Sequence, residues 1–396
     1  MENQIGENIK LNVVFLDCTQ NYPLQFSAGN TKIEMMGRGI LENGGVVSVH
    51  NGIVGRLGTK NIIENQNRLG IHYIIFPFRI HQLISWIFNL LIFWKSLNAL
   101  KRKGFKNILV VTDCDFHLFL IYVLFGRLQG YKISAIFHEW SLAIRPIHFL
   151  RRPSIWLYCM TFGWFVDSIM PISHFLQDKA SKYKRKTMLL PILAEFDQSQ
   201  NFRNYTETKN KSYFLYCAFV EYSRIVKMVL DSYVEFRKIG GKEKLIMVLT
   251  GSEDKILEIK ESIMDFNMDN FIEVKTKLPY NDLVNLYSSA LGLLIPLNPD
   301  SLQDKARFSQ KIAEYLSSYR PIITSNVGEI QYYFTNGKNA VITESYSVSH
   351  YANAMLRLSN DINLSNRIGT EGYELGKQKF NYKSYGLFIT KHFEEL

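Results

Sequence analysis

Short apolar runs and stretches of helical periodicity follow one another along the chain. The apolar runs have the length of buried parallel strands, and apolar residues three and four positions apart predict helices between them. In the first half, the predicted strands are 11–16, 46–49, 73–76, 108–112, 133–137 and 168–172, with helices near 31–43, 79–103, 116–128 and 154–166. In the second half, they are 213–218, 245–250, 272–275, 291–297 and 322–324, with helices near 224–238, 253–265, 280–288, 309–317 and 348–359. This alternation predicts α/β architecture with parallel sheets.

The polar stretch 193–211 interrupts the periodicity and predicts a linker between two domains, 1–195 and 212–382. A chain of 396 residues is long enough for each domain to bury its own core. The hydrophobic content of 47%, with 21% charged residues, is that of a globular protein and excludes a disordered chain.

The most informative segment is 307–328, RFSQKIAEYLSSYRPIITSNVG. Ser309 is placed to cap the start of a helix, and Pro321 ends that helix because the residue before proline avoids helical geometry. Three apolar residues on this helix, Ile312, Tyr315 and Leu316, have the spacing of a face packed inward. Residues 322–324 then read as a buried strand followed by a glycine turn.

Lys311 and Glu314 are three residues apart and share one face of this predicted helix. The helix start exposes backbone N–H groups that suit a diphosphate. Glu314 has the chemistry to accept both hydroxyls of a ribose, as acidic residues do at other nucleotide sites. An ordinary surface ion pair between Lys311 and Glu314 fits the spacing equally well, so both interpretations stay open.

KIAEYLSSYRPIITSNVGEI resembles the donor-site segment of the retaining group 1 (GT4-like) glycosyltransferases of the GT-B fold. In that family, a Lys-x-x-Glu-Tyr-Leu helix precedes a strand and a glycine turn, and the glutamate matching Glu314 binds the donor ribose. The first glutamate of the family's E-x7-E pair would fall at Ala306 and is missing here. The resemblance implies two Rossmann-like domains facing a cleft, with the nucleotide-sugar donor bound by the second. It also implies that the last helix, 383–396, returns to the first domain.

Further candidate residues follow from the same resemblance. His138, at the end of a predicted strand, matches the histidine that contacts the donor sugar, although a histidine bonded to a neighbouring carbonyl is an open alternative. Glu139 beside it, with Ala28 and Gly29 at the first strand–helix junction, is assigned to the acceptor side. Ser173 is predicted to cap a helix at 174–180.

The start of the second domain resembles the family's G-R-L-x-x-x-K-G segment imperfectly. Arg224 stands where the lysine would be and Lys227 lies one turn further, so these cations are candidates to neutralise the departing diphosphate. An exposed helix face explains the same two residues. Gly251 matches the strand-terminal glycine beside the base pocket. Arg307, with Asp304 and Lys305, is predicted to lie in a loop before the donor helix and to contact phosphate or sugar.

The sequence gives no metal-ligand pattern. The four cysteines are scattered without a C-x-x-C pair, which argues for a reducing compartment and against a zinc site. Asp113-Cys114-Asp115 follows a first-domain strand, where GT-B enzymes hold no donor metal, so we interpret it as an acceptor-side or structural pair. The expectation is therefore an enzyme that needs no metal and no cofactor besides its donor substrate.

All of the net charge of +10 lies in the first half. Residues 1–195 hold 22 basic and 12 acidic side chains, whereas residues 196–396 hold 24 of each. This asymmetry predicts an anionic partner, and an anionic membrane surface, a nucleic acid and an acidic glycan all fit the charge. The neighbouring apolar segments 79–104 and 116–130 predict two helices packed on the sheet, with membrane contact as the alternative. Both segments are too short and too interrupted by polar residues to span a bilayer.

The resemblance implies a glycosyltransferase that uses a nucleotide-diphosphate sugar and works with retention, and the basic, aromatic first half adds the expectation of a glycan or lipid-linked glycan acceptor in surface-polysaccharide assembly. The N-terminus has no signal-peptide pattern, so we expect a cytoplasmic protein, peripheral on the inner face of the plasma membrane. Two alternatives stay open: another GT-B enzyme such as a nucleotide-sugar 2-epimerase, or a non-catalytic nucleotide-sugar or polyanion binder. Nucleic acid is not an expected partner because no reading motif accompanies the basic residues.

Overall fold

The structure, a computed structural model, describes residues 10–16, 28–53, 63–76, 82–112, 114–143, 149–196 and 213–396. The chain divides into two compact units. The first unit comprises Met1–Leu193, Ala306–Phe308 and Tyr382–Leu396, and the second comprises Ala194–Lys305 and Ser309–Asn381.

The first unit contains an eight-stranded sheet. Its strands are β1 (Leu11–Leu16), β2 (Val46–His50), β3 (Ile63–Arg68), β4 (Ile71–Ile75), β5 (Lys106–Val111), β6 (Lys132–Phe137), β7 (Ser168–Pro171) and β8 (Lys186–Thr187). They are arranged in the order β3-β4-β2-β1-β5-β6-β7-β8, and all neighbours are parallel except the antiparallel pair β3–β4. The helices are α1 (Ala28–Glu42), α2 (Gln82–Leu100), α3 (Phe116–Leu128), α4 (Arg152–Thr161) and α5 (His174–Ser181), with short 3-10 helices at Ser141–Ala143 and Phe162–Trp164.

The second unit contains a six-stranded, wholly parallel sheet. Its strands are β9 (Tyr213–Phe219), β10 (Lys244–Thr250), β11 (Ile272–Lys275), β12 (Gly292–Ile295), β13 (Ile322–Ser325) and β14 (Val341–Thr343), in the order β11-β10-β9-β12-β13-β14. The helices are α6 (Ser223–Lys238), α7 (Glu253–Asp265), α8 (Tyr280–Ser289), α9 (Leu302–Ala306), α10 (Gln310–Leu316), α11 (Ile330–Tyr333), α12 (Val348–Asn360) and α13 (Ile362–Lys379). A final helix, α14 (Tyr382–Glu394), belongs to the first unit.

Both sheets therefore have the doubly wound order of Rossmann-like folds, which confirms the predicted fold class. With β3 and β8 set aside at the edges, the first sheet reverses its winding direction between β1 and β5, and the second reverses between β9 and β12. Ligands of such sheets bind outside the carboxyl ends of the strands at this reversal. The central strands are almost fully buried because helices cover both faces of a parallel sheet.

Helix α14 is held against α1 by two glycines in close contact. A Cβ atom built on Gly39 would lie 2.6 Å from the Cα of Gly386, so neither position has room for a side chain. The crossing is reinforced by Arg38, whose guanidinium donates to the Tyr382 hydroxyl at 2.9 Å and lies over its ring. The Tyr382 hydroxyl in turn donates to Glu42 at 2.6 Å.

Several regions differ from the sequence-based expectation. The polar strand β3, the short strands β8 and β14, the short helices α9 and α11 and the long helix α13 were not predicted. The helix expected near 154–166 is α4 followed by a 3-10 turn. Most of the predicted linker 193–211 lies outside the described residues. None of the helices formed by the described residues is both long and apolar enough to cross a bilayer.

Candidate functional site

Helix α10 of the second unit lies against the carboxyl end of β9, where that sheet reverses direction. The Lys311 ammonium donates a hydrogen bond of 2.7 Å to the carbonyl oxygen of Cys217, near the end of this strand. This bond fixes the lysine and the helix to the edge at which ligands of α/β sheets gather.

Glu314 is buried, with 9% of its surface exposed. Burial raises the pKa of its carboxyl to about 7, while the charge on Lys311 and a hydrogen bond from Tyr287 act to lower that pKa. The Tyr287 hydroxyl lies 3.4 Å from Glu314 Oε2. A surface ion pair of Lys311 and Glu314 was one of the two interpretations left open, and the burial of Glu314 makes it wrong.

The apolar face of α10 packs inward as its spacing predicts, with Ile312, Tyr315 and Leu316 all buried. The ring of Tyr315 meets Tyr287 edge-on at 4.9 Å between centroids, which helps to hold the tyrosine beside Glu314. Ser309 occupies the N-cap position of α10, but its side chain makes no capping hydrogen bond.

Gly251 follows β10 with a φ of +116°, a backbone conformation that side chains other than glycine's rarely adopt. A Cβ atom there would lie 2.3 Å from Glu221 Oε2. The other oxygen of Glu221 accepts a hydrogen bond of 3.1 Å from the Ser252 backbone N–H. Glycine is thus required at this position for a structural reason, whatever ligand lies beside it.

Arg224 and Lys227 lie on the first two turns of α6, the helix that follows β9. Both side chains are exposed, and within the part of the chain that the structure describes neither donates a hydrogen bond. Their position is compatible with binding an anionic ligand and equally with an ordinary solvated helix face.

Asp304 and Lys305 lie in helix α9 and not in a loop, so that prediction was wrong. Asp304 is buried, and its Oδ2 accepts a hydrogen bond of 3.0 Å from the Asn298 backbone N–H. Its carboxylate therefore holds the turn before α9 together, which leaves it a structural role.

His138 and Glu139 follow β6 in the first unit. Although the His138 residue is only partly buried, its Nε2 atom is buried. Burial, followed by the charge on Lys32, lowers the pKa of His138 to about 3, so the imidazole is neutral at neutral pH. Burial raises the pKa of Glu139, and the nearby charge on Arg307 acts against that rise.

Arg307 groups with the first unit as part of the segment Ala306–Phe308. Within that unit, the Ser173 hydroxyl donates to the Ala306 carbonyl oxygen at 2.6 Å. The same hydroxyl accepts a hydrogen bond of 3.2 Å from the Leu176 backbone N–H, which confirms Ser173 as the N-cap of α5. One serine thus fixes both the start of a helix and the segment that carries Arg307.

Lys32 was not predicted. It lies on α1 with only 4% of its surface exposed, and its ammonium donates a hydrogen bond of 3.1 Å to the Leu190 carbonyl oxygen. Burial lowers its pKa to about 7. Ala28 and Gly29, the acceptor-side candidates, form the first turn of the same helix, so Lys32 lies one turn beyond them. Buried lysines leave no pattern in a sequence, since lysine usually marks an exposed face.

The described side chains include no group of three or more His, Cys, Asp and Glu residues that could hold a metal ion. Asp113, the first member of the Asp113-Cys114-Asp115 triplet, lies outside the described residues. Asp115 forms a salt bridge of 2.9 Å with Arg151, consistent with a structural role for that half of the pair.

The site in the second unit combines a buried carboxyl group, a cation fixed at a strand end and a tyrosine hydroxyl. A carboxyl with a pKa near 7 accepts hydrogen bonds from vicinal hydroxyls when ionised, and such bonds stabilise the ionised form. Tyr287 and Cys217 complete this arrangement from other elements. Neither residue has a local sequence signal, because only the fold brings β9, α8 and α10 together.

Residues 197–375 match the family model described as glycosyl transferases group 1. Among solved structures, the chain is similar to sucrose-phosphate synthase from Thermosynechococcus elongatus, with a TM-score of 0.72, 13% identity, and coverage of 97% of this chain and 98% of that one. It is also similar to HepE from Anabaena in complex with UDP, with a TM-score of 0.67, 11% identity, and coverage of 98% and 100%. For trehalose 6-phosphate synthase from Burkholderia multivorans, the TM-score is 0.67, the identity 13% and the coverage 98% of each chain. No curated protein sequence matches the chain.

Proposed function

We propose that the protein is a group 1 glycosyltransferase, because residues 197–375 match the model of that family. The enzyme transfers a sugar from a nucleoside-diphosphate sugar to a glycan or lipid-linked glycan acceptor in surface-polysaccharide assembly. The anomeric configuration is retained. The observation that carries the donor part of this proposal is the buried Glu314, which sits beside a lysine bonded to the end of β9.

Glu314 binds the two ribose hydroxyls of the donor in this proposal. Its carboxyl is already oriented by Tyr287, and the hydroxyls supply the hydrogen bonds that favour its ionised form. Donor binding near pH 7 therefore releases a proton from Glu314. We expect donor affinity to rise as the pH increases toward about 7 and to level off above it.

Uridine diphosphate is the nucleotide to test first. Solved structures of HepE from Anabaena contain UDP or UDP-glucose, and the pneumococcal O-GlcNAc transferase GtfA was solved with UDP and GlcNAc. These ligands belong to those proteins, and they supply the reason to begin with uridine nucleotides.

Departure of the diphosphate is the step that most needs charge stabilisation. In the proposed mechanism Arg224 supplies that charge, with Lys227 one turn further along α6. His138, kept neutral by burial, donates or accepts a hydrogen bond at the transferred sugar without adding charge there. The acceptor lies on the side of Ala28, Gly29 and Glu139, and no step requires a metal ion.

Thermal unfolding across a panel of nucleoside diphosphates tests the donor site. A bound ligand at about 100 times its dissociation constant adds roughly 2.7 kcal/mol of stability. We expect one nucleotide to stabilise the wild type and not Glu314→Ala. Glu261→Ala, which removes an exposed glutamate from α7, is the matched control and should keep the full shift. Equal shifts in all three proteins would exclude Glu314 from the nucleotide site.

Assays with donor alone, and with donor and chelator, separate the remaining alternatives. A 2-epimerase converts or hydrolyses the donor without an acceptor, and a non-catalytic binder is stabilised by the nucleotide yet never turns over. A transferase without a metal requirement needs an acceptor and keeps its rate in chelator. Activity that is lost in chelator and restored by Mn²⁺ or Mg²⁺ would contradict the proposed metal independence.

A further inference from the structure

Helix α4 and the 3-10 turn that follows it expose an unusual number of large apolar side chains. Phe149 and Leu150, just before α4, are each 70% exposed, and Trp156 on α4 and Trp164 in the 3-10 turn are 53% and 56% exposed. Leu157 and Phe165 are exposed as well. A solvated helix normally carries polar residues on its outer face, but the outer face of α4 carries Pro153, Trp156 and Leu157.

The elements that carry these side chains follow one another along the chain and are packed on the same unit. Helix α4 passes directly into the 3-10 helix Phe162–Trp164, and its inner face buries Tyr158 and Cys159. The Trp164 ring packs edge-on against Tyr183 at 5.6 Å. Trp164 is also fixed by Arg185, which donates to its carbonyl oxygen at 2.8 Å. The indole is therefore held outward by a rigid backbone.

Basic residues are concentrated in the same segment of the chain as these apolar side chains. The segment 149–186 contains seven Lys and Arg residues and only two acidic ones. Of the two acids, Asp167 is occupied by a salt bridge of 2.8 Å with Arg127 of α3. Arg152, Lys182, Lys184 and Arg185 are all exposed. Lys182 also reaches to 3.8 Å from the Met160 sulfur, so its charge lies beside the carboxyl-terminal end of α4.

We infer that this aromatic–basic surface, formed by residues 149–165 of the first unit with the lysines and arginines of 179–186, binds an anionic lipid bilayer. Exposed tryptophans and phenylalanines suit the interface between headgroups and acyl chains, and a basic rim is attracted to anionic headgroups. We infer a lipid bilayer because exposed apolar side chains and basic side chains occur together in this surface. A polyanion in solution would need only the charges, and a second copy of this chain would bring an equally basic surface against them.

The inference rests on the proposed function only in one respect, namely that a membrane-bound enzyme would meet a lipid-linked acceptor. Vesicle binding is measured without donor or acceptor, so its failure would leave the transferase proposal untouched. None of the residues to be changed belongs to the donor or acceptor machinery.

Co-sedimentation of the full chain with vesicles tests this surface. Binding is expected to vesicles of phosphatidylcholine with phosphatidylglycerol, to be weaker on phosphatidylcholine alone, and to weaken with salt. Trp156→Ser with Leu157→Ser should reduce the partition coefficient by about tenfold or more, since each exposed apolar group leaves water on binding. The matched control is Leu257→Ser with Met264→Ser, two exposed apolar residues of α7 in the second unit, and it should bind as the wild type.

Charge removal gives a second, independent arm. Arg152→Ser with Lys184→Asn should lower binding to anionic vesicles about 25-fold, because each basic group near the surface contributes about fivefold. Asparagine is chosen at Lys184 because its φ is +52°, which asparagine tolerates. Lys255→Ser with Lys260→Ser on α7 is the control for charge and should bind as the wild type.

Three outcomes would overturn the inference. Equal binding to neutral and anionic vesicles would remove the role of charge. Normal binding by the Trp156 and Leu157 variant, with loss only in the charge variant, would reveal an electrostatic surface without apolar insertion. A dimer in solution that this apolar variant dissociates would assign the surface to a second copy of the chain. Unchanged circular dichroism and thermal unfolding show that each variant is folded.

Discussion

The two units have the same doubly wound strand order, yet each buries a titratable side chain of the opposite kind. The second unit buries the acid Glu314 behind β9, and the first unit buries the base Lys32 on α1. Burial alone is the largest influence in both cases, and it brings both pKa values to about 7 from opposite directions. Burial thus makes the protonation of both groups sensitive to small electrostatic changes near neutral pH.

The two groups also have opposite effects on stability. The pKa of Glu314 is higher in the folded chain than its ordinary 4.5, so its contribution is fully present below pH 4.5 and is lost as the pH rises to about 7. The pKa of Lys32 is lower than its ordinary 10.5, so the unfolded chain binds more protons between pH 7 and 10.5. Stability therefore rises across that second range. The contribution of this pair is lowest around pH 7.

Lys32→Met should produce the largest change. The wild type gains up to about 5 kcal/mol in its free energy of unfolding between pH 7 and 10.5 from Lys32, and the variant lacks this gain. Urea unfolding of both proteins at several pH values in that range measures the difference. Parallel curves would mean that Lys32 is charged in the folded chain and that the comparison fails.

Glu314→Gln removes the buried ionisable carboxyl group of the second unit. Between pH 4.5 and 7 the wild type should lose up to about 3 kcal/mol of stability that the variant keeps, because glutamine does not ionise. The same urea series, extended to acid, measures this, with Glu261→Gln as the control. A variant that follows the wild type across this range would place the pKa of Glu314 near its ordinary value.

Gly386→Ala tests whether the first unit depends on its returning helix. The added methyl group would lie 2.5 Å from Gly39, so we expect a loss of about 1–3 kcal/mol from the forced separation of α1 and α14. Hydrogen exchange should show the loss of protection in these two helices and not in the second unit. Ser384→Ala, an exposed change on the same helix, should leave exchange unaltered.

Ser173→Ala should have the smallest effect, about 1 kcal/mol, from the loss of the α5 cap. It also removes the hydrogen bond to the Ala306 carbonyl, so we expect faster proteolysis around Ala306–Phe308. Ser181→Ala at the exposed end of α5 is the control. Equal rates of proteolysis in both variants would show that Ser173 does not stabilise the segment Ala306–Phe308.

Most of the fold was predictable because buried parallel strands and amphipathic helices leave clear periodicities. The exceptions have physical causes. Strand β3, IENQNR, is polar and pairs only at the sheet edge, so it resembles a loop. Helix α13 contains glycines that lower helix propensity, yet Gly369 is needed because a Cβ there would lie 2.2 Å from the Tyr319 carbonyl oxygen.

The candidate site was predictable only where its residues follow one another along the chain. Lys311 and Glu314 share a helix whose motif is visible in the sequence. Tyr287 reaches Glu314 from another helix, and Lys32 reaches Leu190 across 158 residues of sequence. Contacts of that kind are created by the fold and have no local pattern to reveal them.

The glycine contact between α1 and α14 also has a consequence for folding during synthesis. The main part of the first unit ends at Leu193, but the helix that covers Gly39 begins only at Tyr382. At a synthesis rate of about 5–20 residues per second, the ribosome adds the intervening stretch in roughly 10–40 s. During that interval the second unit is synthesised, and the face of α1 that carries Gly39 is not yet covered by α14. We expect this nascent intermediate to be a natural client for chaperones.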